Sequence, residues 1–515
     1  MNGAESLLQT LLDGGVDTCF MNPGTSEIHF VSALDEFPEM RSILCLFEGV
    51  ATGCADGYAR MAGKPATSLL HLGPGLGNGI SNLHNAKKAY SPIVNIVGQH
   101  STSHLLYDAP LTSDIEGLAR PVSGWVRTSK SAQSVAADGA AAVAASRTLP
   151  GQIATLILPA DTAWNQADGP AAPELPPDPP SVSNDRISKV ADLLRTQKNI
   201  VILIGDAVME SEPLSLLATQ IAAHTDVRLI GRSSARRITR GAGRAVYERL
   251  VYDVGKSVEI LKDTEHLVLV GAKEPVGFFA YPNKPSLLAP PAAEVHLLAD
   301  VHEDVSGALE ALADELGEID VPPNIAQLER PPLPNGALNP ENIWAALTAL
   351  MPEDSIISDE GVTASRMAGP LTQTALPHDW LHVTGGAIGQ GLPVATGAAV
   401  ACPGRQVFAM EADGSGMYTL QALWTQARES LNVVTVIFAN RTYRILQYEM
   451  KKLCQKENGA NSSPMMRLDE PDLDWVFLSK GMGVPAVRVD SMEGFITALK
   501  RGIEEPGPYL IEAII

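Results

Sequence analysis

Two polar side chains near the end of the sequence each follow an apolar run typical of a buried strand. Asp413 comes after residues 407–410, and Asn440 comes after residues 433–439. The helix-like stretch 417–428 between the runs predicts neighbouring parallel strands, with both side chains at the edge where α/β sheets bind ligands. Carboxylate and amide oxygens suit Mg²⁺, which usually completes its shell with phosphate and water. The alternative is an ordinary Asp-Gly turn that caps a helix.

Two acid–base candidates lie in the first part of the chain. Glu48 follows the apolar run 43–47 and begins a stretch of small residues, where a helix dipole would also favour a glutamate. His71 lies at the end of a strand predicted over residues 67–72, where an imidazole can bind a carboxylate or relay a proton. A lone histidine in such a place is more often a satisfied structural residue.

Composition excludes several classes of function. The chain has 515 residues and a formal net charge of −21, which argues against a general nucleic-acid binder and against binding to an anionic membrane. No apolar stretch reaches the roughly 20 residues of a membrane span. Five cysteines without a C-x-x-C pair fit a reducing compartment, and we expect a cytoplasmic protein.

Two proline-rich stretches, at about 168–184 and 321–339, are typical of extended surface linkers. They divide the chain into domains predicted at 1–167, 184–320 and 339–515. Each alternates short apolar runs with longer amphipathic stretches, as expected for parallel sheets covered on both faces. The predicted fold class is therefore α/β, with three doubly wound parallel-sheet domains.

The segment around Asp413 resembles the motif of thiamine-diphosphate (ThDP) enzymes, a Gly-Asp-Gly followed by an asparagine-bearing strand end. Ala412 replaces the first glycine. The resemblance implies ThDP and Mg²⁺ as cofactors, with pyrimidine-binding, central and diphosphate-binding domains in that order. It also implies metal ligation by Asp413, Asn440 and Thr442. The remaining cofactor contacts that it implies are Gly386, Ile388, Gly414, Ser415 and Tyr443.

Residues 46–60 resemble the pyrimidine-binding motif of the same family. There the glutamate, here Glu48, hydrogen-bonds the aminopyrimidine ring and activates the cofactor. The two motifs meet across a subunit interface in that family, so the resemblance implies a homodimer or homotetramer.

Substrate-side segments look like benzoylformate decarboxylase. Residues 22–27 and 69–75 match its Asn-Pro-Gly-Ser and Leu-His segments, which implies that Thr25 binds the substrate carboxylate and His71 relays a proton. The implied pocket also includes Leu111, Ile445 and Glu449. One departure is that residues 275–281 lack the second active-site histidine of that enzyme.

The sequence therefore predicts a ThDP- and Mg²⁺-dependent non-oxidative decarboxylase that converts a 2-oxo acid to an aldehyde and CO₂. One alternative is a carboligase like acetolactate synthase, or a lyase acting on another C–C bond next to a carbonyl. Another is a noncatalytic ThDP-binding or scaffold protein. Residues 231–234 leave flavin adenine dinucleotide (FAD) as an unexpected but open cofactor.

Overall fold

The computed structural model describes residues 1–454 and 459–515. Three sheets account for its strands. The first sheet has the order β2-β1-β3-β4-β6-β5, and all of its strands are parallel. Its strands are β1 (Thr18–Asn22), β2 (Arg41–Leu44), β3 (Ala66–Leu70), β4 (Ile93–Gln99), β5 (Trp125–Thr128) and β6 (Ile153–Pro159). The helices around it are α1 (Gly3–Asp13), α2 (Ile28–Ala33), α3 (Glu48–Ala62), α4 (Leu72–Lys88), α5 (Ile115–Ala119), α6 (Ala132–Arg147) and α7 (Ala160–Trp164).

The middle of the chain forms a parallel sheet with the order β10-β8-β7-β11-β12. Its segment contains β7 (Ile200–Ile204), β8 (Arg228–Gly231), β9 (Ile238–Arg240), β10 (Glu248–Arg249), β11 (His266–Val270) and β12 (Glu294–Ala299). The helices are α8 (Asn184–Thr196), α9 (Asp206–Met209), α10 (Glu212–His224), α11 (Val254–Leu261) and α12 (Val305–Leu316).

The third sheet has seven strands in the order β17-β18-β16-β15-β13-β14-β9. It contains β13 (Ser355–Glu360), β14 (His378–His382), β15 (Val407–Ala412), β16 (Val433–Ala439), β17 (Ala486–Val489) and β18 (Tyr509–Ile514). The helices are α13 (Pro340–Leu350), α14 (Ala368–Thr372), α15 (Gly391–Ala401), α16 (Asp413–Gly416), α17 (Ala422–Arg428), α18 (Arg444–Cys454), α19 (Trp475–Gly481) and α20 (Met492–Glu504).

Three mostly parallel α/β sheets confirm the predicted fold class. β4, β6 and β16 are buried at every position, as continuous apolar runs under two layers of helices require. Residues 165–183 and 317–339, all of them described, contain no helix or strand, as the proline-rich composition indicates.

One strand departs from the predicted pattern. β9 belongs by sequence to the middle segment but pairs antiparallel with β14, with Arg240 opposite His378 and Ile238 opposite Trp380. The edge of the third sheet is therefore completed by a strand from the middle segment. A local pattern of apolar residues cannot predict this strand pairing, because it joins residues about 140 positions apart in the sequence.

Candidate active site

Asp413 lies where strand β15 passes into helix α16, and its carboxylate joins the ends of two neighbouring strands. Its Oδ1 accepts from the backbone N–H of Gly414 at 2.9 Å, and its Oδ2 accepts from the N–H of Arg441 at 2.6 Å. The side chain is buried, and burial raises the pKa of Asp413 to about 6 despite those two donors. A divalent cation at this carboxylate would favour its ionised form.

Asn440 and Thr442 continue the same edge just after β16. The Asn440 Oδ1 accepts from the N–H of Thr442 at 2.9 Å, which fixes the turn between them. Gly414 has no room for a side chain, because a Cβ there would lie 2.4 Å from the ring of Tyr443. Ser415 is buried next to it. The oxygen donors and the close backbone approach predicted at this edge are thus brought together.

Gly386 and Ile388 lie on the loop of residues 383–390, which leads into α15. Gly386 has a φ of +79° and is packed under Phe278, whose ring would be 2.4 Å from an added Cβ. Ile388 is half-buried. The Asn85 amide holds the loop from the first domain, since it donates to the carbonyl of Ala387 at 2.7 Å and accepts from its N–H at 3.1 Å.

Glu48 is the first residue of α3 and is buried. The Asn78 amide donates to its Oε2 at 3.0 Å. Glu48 and His71 meet around Gly75, where an added Cβ would lie 3.1 Å from Glu48 Oε1 and 3.4 Å from His71 Cβ. Strand β3 ends at Leu70, one residue before the histidine, so His71 caps α4 and its ring is held at a helix start. The structure therefore places the two predicted acid–base residues side by side.

Glu27 is a functional candidate that the sequence reasoning missed. Its buried carboxylate lies 2.7 Å from His71 Nδ1 and accepts from the N–H of Gly24 at 2.8 Å. Ser26 donates to the same carboxylate at 2.5 Å and lies 3.3 Å from His71 Nδ1. Thr25 is exposed beside them. A glutamate three residues after a turn glycine was the available signal, because that spacing lets the side chain return to the turn's N–H.

The predicted pocket residues are less closely grouped. Leu111 is exposed on the loop before α5, and Ile445 is half-buried on α18. Glu449, also on α18, lies near Tyr252 and Tyr281 of the middle segment. Burial raises the pKa of both tyrosines, and the Glu449 carboxylate adds to the effect. Tyr281 ends the segment 275–281 in which the second histidine is missing, so a tyrosine and a carboxylate occupy that region here.

A cavity of about 1130 Å³ separates the middle segment from the third sheet. Arg240 and Arg249 line it, and among the described residues neither has an ion pair. Burial and the neighbouring charge of Arg249 lower the pKa of Arg240 to about 10. The buried Arg240 Nε also has no hydrogen-bond partner. The arginines share this wall with Asp253, Glu341 and Asp359, so the cavity lining carries side chains of both charge types.

The carboxyl ends of the middle sheet carry ion pairs of their own. Arg232 binds Asp206 at 2.6 Å, and Arg236 pairs with Glu210. These contacts occupy the region that includes residues 231–234, where a flavin was left open. The absence of FAD as a cofactor therefore stays a prediction.

Glu360 and Glu411 form a buried carboxyl pair beneath the loop of residues 383–390. Glu360 accepts from the N–H groups of Gly389 and Gly391 at 2.8 and 2.6 Å. Burial raises the pKa of Glu360 to about 7, and burial together with the Glu360 charge raises that of Glu411. At neutral pH the two side chains therefore favour sharing a proton over ionising together.

Replacing Glu411 by glutamine should make the protein more stable at alkaline pH. Both carboxyls hold protons in the folded protein at a pH where the unfolded chain, with ordinary values near 4.5, has lost them. This arrangement makes stability fall as pH rises from about 4.5 through about 7. We expect Glu411→Gln to melt about 2–4 °C above the wild type at pH 8. At pH 4.5 the variant and the wild type should melt at the same temperature. Thermal melts at both pH values test this, with the exposed Glu353→Gln as control, and equal melting at pH 8 would contradict it.

The two ends of the candidate site are built by different parts of the chain. Among the described residues, no hydrogen bond or ion pair joins Glu48 or His71 to Asp413, Asn440 or Thr442. Chemistry that needs both ends requires a ligand long enough to reach from one to the other.

The residues at these two ends fit ThDP and Mg²⁺. Hard oxygen donors stand at Asp413, Asn440 and Thr442, as an octahedral Mg²⁺ bound to phosphate prefers. The close backbone approach at Gly414 suits a diphosphate. At the end of the site formed by residues of the first sheet, the buried Glu48 carboxyl accepts a single hydrogen bond from the described residues, which leaves capacity to bind a pyrimidine.

The fold and the two ends of the candidate site fit an α/β enzyme that binds a diphosphate cofactor. Comparison with known protein families identifies that cofactor. The family model described as "Thiamine pyrophosphate enzyme, N-terminal TPP binding domain" matches residues 1–117. The model for the C-terminal TPP binding domain matches residues 361–513. The chain belongs to the thiamine pyrophosphate enzyme family.

Full-length relatives narrow the type of enzyme. The chain is 48% identical to a Mycobacterium tuberculosis protein named "Putative acetolactate synthase large subunit IlvX", over 100% of this chain and 99% of the relative. It is 30% identical to benzoylformate decarboxylase of Pseudomonas aeruginosa, over 97% and 96%. A solved ThDP-dependent 4-hydroxybenzoylformate decarboxylase of Rhodococcus jostii superposes with a TM-score of 0.86 at 26% identity, covering 100% and 99% of the two chains. The protein is a ThDP-dependent enzyme of the decarboxylase and acetolactate synthase type.

None of the helices in the described residues combines the length and the apolar character needed to cross a membrane.

Proposed function

We propose that the chain is a Mg²⁺-requiring decarboxylase that converts a 2-oxo acid to an aldehyde and CO₂. The observation that carries this proposal is the cluster of Ser26, Glu27 and His71 next to Glu48. A decarboxylase must return a proton where it removed CO₂, and this cluster supplies a positioned histidine for that task. The ThDP-binding domains and the benzoylformate decarboxylase relatives support it.

His71 is suited to moving a proton because Glu27 fixes its ring. With Nδ1 donating to the Glu27 carboxylate, Nε2 is the nitrogen left to accept or deliver a proton. The ring is partly exposed, at 24%, while Glu27 is 1% exposed, so the carboxylate orients the imidazole without contacting substrate itself. Thr25 offers an exposed hydroxyl next to this pair for the substrate carboxylate.

The other residues would place the cofactor. Bound ThDP supplies the electron sink that makes loss of CO₂ feasible. Asp413, Asn440 and the Thr442 carbonyl would hold Mg²⁺, and Gly414 and Ser415 would contact the diphosphate. Gly386, Ile388 and Tyr443 would position the thiazolium part. Glu48 would hold a proton at the pyrimidine, and Leu111, Ile445 and Glu449 would limit the substrate.

We further propose that a complete site needs two chains. The Glu48 end belongs to a pyrimidine-binding domain at 1–167, the Asp413 end to a diphosphate-binding domain at 339–515, and residues 184–320 form the central domain. Membership of a family whose two cofactor-binding motifs meet across a subunit interface supports a homodimer or homotetramer in which each cofactor spans two subunits.

A carboligase is the second candidate function. It is favoured by the 48% identical relative, which is named "Putative acetolactate synthase large subunit IlvX". The same residues would serve it, because both reactions begin with loss of CO₂ from a 2-oxo acid and differ in what then captures the carbon.

Product analysis separates the two candidates. The purified protein, with ThDP and Mg²⁺, is offered a panel of aliphatic and aromatic 2-oxo acids while CO₂ and organic products are measured together. We expect one free aldehyde for each CO₂, and Glu27→Gln should lower that turnover about 10–100-fold through the misplaced imidazole. An acetohydroxy acid as the main product would contradict the decarboxylase proposal and support the carboligase. If no 2-oxo acid in the panel yields CO₂, both proposals are refuted.

A further inference from the structure

The middle segment contains a cluster of ligand-type side chains far along the chain from the cofactor-binding residues. His266 begins strand β11, and Glu294 and His296 lie at the start of the neighbouring edge strand β12. His266 is directly opposite Glu294 in the parallel register, and Val268 is opposite His296. Because side chains alternate along a strand, the three groups project from the same face of the sheet.

The three potential ligand atoms are close together. His266 Nδ1 and His296 Nε2 are 3.1 Å apart. Glu294 Oε2 is 3.7 Å from the first and 3.8 Å from the second. A triangle with these sides has a circumradius of about 2.1 Å, which matches the distances at which Zn²⁺ binds imidazole nitrogen and carboxylate oxygen. One ion could therefore contact all three atoms without moving the strands.

We propose that His266, Glu294 and His296 form a binding site for a zinc-type divalent cation, with water completing its shell. Two imidazoles and one carboxylate are a ligand set that Zn²⁺ accepts, and they disfavour Mg²⁺, which takes oxygen ligands. No other group of three such side chains among the described residues has ligand atoms converging in this way.

The surroundings leave the cluster accessible to a metal ion. His296 is 28% and His266 14% exposed, so water and ions can reach the pair while the rings remain packed.

The place of the cluster defines its role. It lies at the amino ends of β11 and β12, whereas ligands of α/β sheets bind at the carboxyl ends, so the ion is separate from the cofactor. It bridges the last two strands of the middle sheet, and β12 has only one strand neighbour. The bound cation would therefore hold the edge strand β12 to its neighbour β11.

Zn²⁺ itself is the probe that tests the site. The full-length protein is first saturated with ThDP and Mg²⁺, and Zn²⁺ binding is then measured by calorimetry, with Co²⁺ absorption as an independent signal. We expect one Zn²⁺ per chain, a Co²⁺ spectrum of low coordination number, and a higher melting temperature with Zn²⁺. His266→Gln and His296→Gln should each weaken binding at least about tenfold.

The control is His224→Gln, which removes an exposed histidine of α10 in the same segment and should bind Zn²⁺ like the wild type. Melts without added metal check that each variant is folded. If the wild type and His296→Gln bind Zn²⁺ equally, or if the wild type binds none, the two histidines only hydrogen-bond each other and the proposal is wrong. Because Zn²⁺ binding is read directly, this outcome is independent of which reaction the enzyme catalyses.

Discussion

Glu48→Gln is expected to lower kcat at least about 100-fold while leaving the fold intact. The side chain is buried and receives one hydrogen bond, from the Asn78 amide. A glutamine of the same shape still accepts that bond through its carbonyl oxygen. It cannot take up and release a proton, so the loss should fall on turnover and not on stability.

Two measurements test this prediction without depending on one substrate. Turnover is measured with the best 2-oxo acid of the panel, and proton exchange at the reactive carbon of bound ThDP is followed by NMR. Both should fall in Glu48→Gln, while the melting temperature and the ThDP affinity stay near wild-type values. The exposed Glu39→Gln serves as control. Wild-type exchange and turnover in Glu48→Gln would show that this carboxyl does not activate the cofactor.

Asp56→Asn should destabilise the protein by about 3–5 kcal/mol, because it breaks a buried ion pair and leaves one charge without a partner. Asp56 and Arg60 have fully buried side chains 2.6 Å apart. Asp56 also accepts from Ser91 and, at 2.7 Å, from Gln390. Arg60 donates to the hydroxyl of Thr384 at 3.1 Å, so Thr384 and Gln390 join the pair on helix α3 to the loop that carries Ile388.

Denaturant unfolding of Asp56→Asn and Asp185→Asn measures this effect. Asp185 pairs with Lys189 at the same i,i+4 spacing, but both side chains are about three-quarters exposed, so its loss should change little. The double variant Asp56→Leu with Arg60→Met should recover much of the lost stability, since no charge is then left buried. An Asp56→Asn variant as stable as the wild type would contradict the role given to the pair. A lower ThDP affinity in Asp56→Asn would be the functional sign that the loop has shifted.

Residues at strand ends were predictable from the sequence. Asp413 and Asn440 follow apolar runs that could only be buried strands, and parallel topology then places both at the same edge. Glu48 was predictable for a similar reason, since an apolar run leads directly into its small-residue helix. In each case a local pattern defines the residue's position and the sheet geometry supplies the rest.

Pairings between distant segments were not predictable. Glu27 becomes a partner of His71 only because β1 and β3 are neighbours, and Gly98 of β4 leaves room for its carboxylate. Glu360 and Glu411 lie at the ends of adjacent strands, yet nothing near either residue signals that they will be buried together. The predicted helix over 417–428 begins only at Ala422, because residues 413–416 form a separate turn of helix around Asp413.

The pairing of β9 with β14 restricts how this chain can be divided. A fragment of residues 184–320 would keep β9 without its partner, and a fragment of residues 339–515 would expose β14 as a new sheet edge with unpaired backbone groups. Such edges promote association between chains. The fragments 184–320 and 339–515, expressed separately, should therefore aggregate. A fragment that starts near residue 184 and runs to the C-terminus keeps all seven strands of the third sheet. In evolutionary terms, the middle segment cannot be exchanged as a module unless its replacement also brings a seventh strand.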